Sequence, residues 1–236
     1  MSSQEASWNI LLMVICYAYI ILIIFISSKL NSLKQISRKT SRKFLHAMIG
    51  NLPFLIPFFT QNICPFLVAA PFILVTFLAS SYSPFKIVNE KLKGLADITE
   101  EGHHLGLVFY SISYTILALF LASKAYVVAA GILPMAYGDS AASVVGGRYG
   151  KRRYRFLANK SLEGSAAMFL VSFSSLLISL YFFSTIYAFS FLDKVIAAFA
   201  ASVVATVSES LSPLGFDNLT VPILSASTFL LVGGGA

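Results

Sequence analysis

No Lys, Arg, Asp or Glu interrupts residues 6–28, 44–85, 105–123, 164–192 or 218–236, and this distribution of charge restricts what the chain can become. A helix needs roughly 20 apolar residues to cross about 30 Å of hydrocarbon, and each run suffices. The run 44–85 has room for two spans: His46 is its one histidine, and the polar break Thr60-Gln61-Asn62, followed by Pro65, divides it into a returning pair. Two further uncharged runs, 125–138 and 195–208, have 14 residues each. The chain is 57% hydrophobic and 11% charged, whereas about 25% charge is usual in a soluble domain. The expected fold class is therefore all-α: a polytopic transmembrane helical bundle of about eight spans, or seven if the last is peripheral, forming one integral-membrane domain over 1–236.

The first apolar run precedes its basic cluster, the reverse of a secretory signal, and reads as a retained helix. Cys16 and Cys64 lie in apolar runs at unrelated depths, which suits two packing cysteines better than a disulfide or metal pair.

Net charge is +7, and its placement is informative. Lys29, Lys34, Arg38, Lys39, Arg42 and Lys43 fill the first loop, and Arg148, Lys151, Arg152, Arg153, Arg155 and Lys160 fill a later one. The positive-inside rule makes both loops cytoplasmic and the N-terminus external. Counting spans, loops 27–43, 81–104, 146–163 and 209–218 then share the cytoplasmic face. Basic loops also meet anionic headgroups of membrane lipids. Nucleic acid is not an expected partner, because the bases lie in short loops without a recognition module.

The 14-residue runs cover only about 21 Å at 1.5 Å per residue, so a full crossing carries each helix past its terminating acid, Asp139 or Glu209. Both acids are expected at similar depth near the cytoplasmic side, where a carboxylate usually faces a bundle interior or wet cavity. Ser202, Thr206, Glu209 and Pro213 recur at helical spacing as one polar stripe. Arg42, Lys43 and His46 fall within about one turn at the membrane boundary and are candidate ligand contacts.

Between them, Tyr137 to Ser165 gathers acid, glycine, base and hydroxyl. Two carboxylates, Asp139 and Glu163, could engage Mg²⁺, which binds oxygen and shares its shell with substrate phosphates. Gly146, Gly147 and Gly150 could adopt positive φ and bring backbone N–H groups to phosphate oxygens. Arg148, Arg152, Arg153 and Lys160 could offset a triphosphate, and Ser161 with Glu163 opens a helix whose N-terminus favours anions. No GxxxxGK[ST] loop is present.

Five fragments occur in a familiar order: RKFLH at Arg42–His46, EEGHHLG at Glu100–Gly106, GDSAASVVGGRYG at Gly138–Gly150, NKSLEG at Asn159–Gly164 and ESLSPLGFDNLTVP at Glu209–Pro222. In this the chain resembles the polyprenol kinase family of integral-membrane, CTP-using lipid kinases, which includes dolichol kinase, phytol kinase and CTP-dependent diacylglycerol kinase. The resemblance implies transfer of the γ-phosphoryl group of CTP, with Mg²⁺, to the hydroxyl of a membrane isoprenoid alcohol of phytol, geranylgeraniol or dolichol type, or of a diacylglycerol-type lipid. It further implies that Asp139 and Glu163 handle metal or nucleotide, Lys160 and Arg148 the phosphates, and Asp217 with Asn218 a polar contact at the mouth. Glu209 or Asp217 would accept the alcohol proton.

Two other classes compete. A CTP:lipid-phosphate cytidylyltransferase would release pyrophosphate and place the α-phosphate on the lipid. A transporter could use Asp139 and Glu209 as ion ligands, although the bases beside those acids favour an anionic ligand on one face and no internal repeat is evident.

Overall fold

The computed structural model describes residues 2–32, 38–87, 92, 95, 105–157, 159–213 and 215–235. The first helix, α1 (Ser3–Ser32), is followed by α2 (Arg38–Ile49), a 3-10 segment at Leu52–Phe58, α3 (Ile63–Ala69) and α4 (Pro71–Ala79). Next come α5 (Gly106–Leu121), a 3-10 turn at Ala122–Lys124, α6 (Ala125–Leu133), a π-helical turn at Pro134–Gly138 and α7 (Asp139–Tyr149). Two short strands, β1 (Arg153–Arg155) and β2 (Asn159–Ser161), lead into α8 (Leu162–Ser184). After a 3-10 turn at Leu192–Lys194, α9 (Val195–Leu211), α10 (Asp217–Phe229) and a kinked π turn at Leu230–Gly234 complete the described chain. The all-α expectation thus holds apart from one antiparallel hairpin, which pairs Arg153 with Ser161, Tyr154 with Lys160 and Arg155 with Asn159.

Among the described residues four stretches are long and apolar enough to cross a membrane: Ser3–Ser32, Gly106–Tyr149, Leu162–Ser184 and Leu192–Leu211, with a shorter apolar helix at Ile63–Ala79. Gly106–Tyr149 is not one straight rod. A Cβ on Gly131 would stand 2.6 Å from Leu117 Cδ1, whereas 14 residues of continuous helix would hold the two about 21 Å apart. The chain therefore doubles back at Ala122–Lys124, and α5 packs antiparallel to α6.

The centre of the bundle is α6, all nine of whose residues are buried. A helix apolar on every face belongs inside, and small residues let its neighbours approach: a Cβ on Gly131 would also meet Pro222 O at 2.6 Å. Ser225 of α10 donates to Ala130 O at 2.7 Å. By contrast α1, apolar on all sides, leaves Ile10, Ile21 and Phe25 more than 60% exposed, the surface expected against lipid. Cys16 and Cys64 are buried free thiols.

Pro134 brings no N–H to the helix, and there the ladder widens: the N–H of Asp139 donates to Pro134 O, five residues back. The next helix, α7, runs antiparallel to the start of α8, with Gly138 against Ser172 and Met168 and Gly146 against Gly164. The hairpin β1–β2 closes that pair.

Candidate functional site

At the end of the bundle formed by the starts of α2 and α8, the hairpin and the α9–α10 turn lies a cavity of about 410 Å³. Its lining comes from segments far apart in sequence: Arg42 and Lys43 of α2, Asp139, Gly146 and Gly147 among others of α7, Arg153, Asn159, Lys160 and Ser161 of the hairpin, Gly164 and Ser165 of α8, and Glu209, Ser212, Gly215 and Asp217. Three of the four loops expected on one face, 27–43, 146–163 and 209–218, contribute residues to it. The EEGHHLG fragment at 100–106 lies, except for Leu105 and Gly106, outside the described residues.

Three carboxylates face the cavity, Asp139, Glu209 and Asp217, together with four cations, Arg42, Lys43, Arg153 and Lys160. Asp139 is 3% exposed and its Oδ2 accepts from Lys43 Nζ. Glu209, equally buried, accepts from Lys160 Nζ through Oε1. Burial of a charge is tolerated only with such pairing, and each pair joins elements distant in sequence: α2 to α7, and β2 to α9. Burial disfavours the charged form of Lys160, but Glu209 beside it, with Asp139 and Asp217 nearby, outweighs that and raises its pKa above the usual lysine value. It stays an ammonium across physiological pH.

Asp217 begins α10 and makes no ion pair among the described residues. Its Oδ1 accepts from the backbone N–H of Asn218 at 3.0 Å and from Asn218 Nδ2 at 2.9 Å. Asn218 is itself held by Gly215 O at 3.0 Å and accepts at its carbonyl from Ser113. It stands behind Asp217 and outside the cavity wall. The turn before it needs Gly215, whose φ of +86° excludes most side chains.

The hairpin is fastened from outside. Tyr154 Oη lies 2.6 Å from Ser165 Oγ and 2.8 Å from Ser210 Oγ, tying β1 to α8 and α9. Ser161 caps α8, its Oγ accepting from Gly164 N at 3.1 Å.

Four sequence expectations need correction. Glu163 does not line the cavity: its carboxylate accepts from the backbone N–H of Lys151 at 3.2 Å and of Arg152 at 3.2 and 3.3 Å, bracing the hairpin. Gly146 and Gly147 lie inside α7, and the positive-φ glycines among the described residues are Gly215 and Gly233, so no left-handed glycine cradle forms. Instead Gly146 and Gly150 make room for Ser161 and Gly164, while a Cβ on Gly147 would meet nothing within 4 Å. Arg148 is exposed and its guanidinium lies 5.7 Å from the Tyr149 ring, outside the cavity wall. His46 lines a separate apolar pocket. The polar stripe of α9 is also mostly internal, since Ser202 and Thr206 donate to carbonyls of their own helix. Arg153, expected to offset phosphate charge, does line the cavity, and Asn159, Ser143 and Ser212 line it without having been singled out as ligands.

A magnesium ion arriving on nucleotide phosphates needs only one or two protein carboxylates. Asp139 with Asp217 or Glu209 fits that demand, since all three face one cavity, whereas Asp139 with Glu163 does not. Among the described residues no group of three or more His, Cys, Asp or Glu is arranged to hold a metal ion.

Over 144 residues the chain is 38% identical to a phytol kinase of Synechocystis, covering 59% of this chain and 60% of that protein. It is 29% identical over 200 residues to a probable chloroplastic phytol kinase 2 of rice, Oryza sativa, covering 80% and 64% respectively. A dolichol kinase of Saccharomyces cerevisiae is 30% identical over 169 residues, 69% of this chain and 31% of the yeast protein. Each match spans less than two-thirds of the relative's length. No protein-family profile and no solved structure matches.

Proposed function

We propose, starting from relatives that support a polyprenol kinase family assignment, that this chain is a membrane lipid kinase that moves the γ-phosphoryl group of CTP to the hydroxyl of an isoprenoid alcohol. The observation that carries the reading is the cavity itself: three carboxylates and four cations converge at one end of an apolar bundle, where a water-borne nucleotide and a lipid can meet. Phosphoryl transfer depends on positioning and neutralisation of charge more than on covalent participation, and the lining supplies both.

In this reading Lys43, Lys160, Arg42 and Arg153 bind the phosphates. Asp139 and Glu209 keep their lysines charged and aimed, so that the nucleotide meets a rigid array. Asp139 with Asp217 would hold Mg²⁺, which when bound neutralises charge on the transferred group. Asp217, the carboxylate of the three without a lysine partner among the described residues, is the one free to enter the metal shell, which leaves Glu209 to accept the alcohol proton as the oxygen attacks. Topologically, we place the cavity on the cytoplasmic face with the N-terminus outside and seven or eight spans, because the basic loops gather at that end.

The test is incubation of the purified chain in lipid with γ-labelled CTP, Mg²⁺ and phytol, geranylgeraniol or dolichol. Labelled lipid phosphate with CDP is expected. Label retained in released pyrophosphate would point to cytidylyl transfer, and absence of label with every alcohol would reject the reading.

A further inference from the structure

A second pocket lies one helical turn deeper than the first, and α2 borders both. Arg42 and Lys43 line the polar cavity, while Leu45, His46 and Ile49 line an apolar pocket completed by α1, α3, α4 and α5. Three residues of helix separate Lys43 from His46, a rise of about 4.5 Å.

The walls of this pocket are hydrocarbon, among them Cys16, Ile20, Val68 and Phe72. Yet two of its lining side chains carry polar atoms with no hydrogen-bond partner among the described residues: Nδ1 and Nε2 of His46, which is 1% exposed, and Oη of Tyr114, which is 6% exposed. Buried polar groups are nearly always satisfied, and an orphaned one asks for a missing partner. The other hydroxyls of the pocket are accounted for, since Thr76 donates to Phe72 O, Ser111 to Leu107 O and Tyr110 to His46 O at 3.5 Å. The His46 ring is held in place by stacking on Tyr110, centroids 4.6 Å apart. A neutral imidazole offers one donor and one acceptor, the complement of a single hydroxyl.

We infer that this pocket receives the hydroxyl-bearing end of the isoprenoid alcohol, with His46 and Tyr114 anchoring the hydroxyl and α2 delivering it to the Lys43–Asp139 pair above. The inference rests on the lipid-kinase reading for the identity of its occupant. A water molecule could meet the same polar atoms, but it is a poor alternative because it would leave the apolar wall of the pocket uncovered. The cavity measures about 70 Å³, smaller than the roughly 150 Å³ that accepts a benzene. It therefore has room for the hydroxymethyl end alone, while the isoprene units continue along the lipid-facing helices. His46 is thus a substrate-positioning residue, and the nucleotide is held by other groups.

The experiment uses the full chain in lipid nanodiscs, without nucleotide, and a geranylgeraniol analogue bearing a diazirine in its first isoprene unit. Crosslinks are expected on Cys16, Ile20, Val68 or Phe72, displaced by excess phytol. Val68→Phe, which fills the pocket, should cut labelling and raise KM for the alcohol about tenfold, with CTP affinity unchanged. His46→Phe should do the same, and His46→Gln should restore most of the alcohol affinity. Crosslinks concentrated instead on the outer face of α9 and α10, at Val207, Leu211 or Leu224, would overturn the inference, as would Val68→Phe with wild-type labelling. Because labelling needs no turnover, pocket crosslinks in a chain that transfers no phosphate would leave the site standing and remove the kinase reading. Turnover with crosslinks elsewhere would do the opposite.

Discussion

Gly146 of α7 and Gly164 of α8 lie against one another so closely that a Cβ on Gly164 would stand 3.2 Å from Gly146 Cα and 3.1 Å from Ala142 O. Neither neighbour is a flexible side chain. Gly164→Ala should therefore destabilise by about 1–3 kcal/mol through overpacking, read as a lower midpoint of thermal unfolding in detergent. Gly147→Ala has open space around its Cβ and removes a helix-interior glycine, so it should stabilise by about 0.5–1 kcal/mol. If phosphate oxygens approach that backbone closely, the same variant will raise KM for the nucleotide.

Lys43 and Asp139 form a buried pair across α2 and α7. Asp139→Asn keeps the shape and removes the charge, and turnover should fall at least about 100-fold, as when a charge-stabilising group is lost, while the protein remains folded. Asp139→Leu leaves the ammonium buried alone and should cost about 3–5 kcal/mol. Adding Lys43→Met should recover part of that loss. Denaturant titration of the four proteins of the cycle measures it.

Lys160 has a raised pKa, so its attraction to Glu209 is fully present below the usual lysine value near 10.4 and fades only as pH climbs past its own higher value. No alkaline fall in activity or stability below about pH 10 should trace to this residue. Lys160→Gln should raise KM for CTP more than it lowers kcat, and the pH–rate profile of the variant should keep the wild-type alkaline limb.

Glu163 braces the hairpin through backbone N–H groups. Glu163→Gln, which keeps an acceptor oxygen, should leave the Mg²⁺ concentration for half-maximal activity within about twofold of wild type. Asp217→Asn should shift it or abolish turnover, as expected of a carboxylate that shares the metal shell. A large shift in Glu163→Gln alone would restore Glu163 as a metal ligand.

Much of the site was legible because charge is rare in this chain. Asp139 and Glu209 each end an uncharged run, and a carboxylate in such a position has few reasons to be there besides a cavity. Their lysine partners were not legible, since Lys43 lies 96 residues from Asp139 and nothing local links them. The glycines misled for a related reason: a glycine permits a left-handed turn and a tight helix crossing equally, and only the position of α8 decides between them. The hairpin is too short, three residues a strand, to leave a periodic signature. His46 was read with its basic neighbours, yet one turn of α2 is enough to carry it from the polar cavity into hydrocarbon.

The widened turn at Pro134–Gly138 sets the rotational phase of everything after it. At 3.6 residues per turn, one residue corresponds to about 100° of rotation. Deleting a single residue there would return the ladder to ordinary α spacing and swing Asp139 a quarter-circle or more off its bearing, along with Gly146 and its seat on α8. A one-residue surplus thus acts as the indexing step that aims this acid, and its length should be intolerant of change even though none of its five residues lines the cavity.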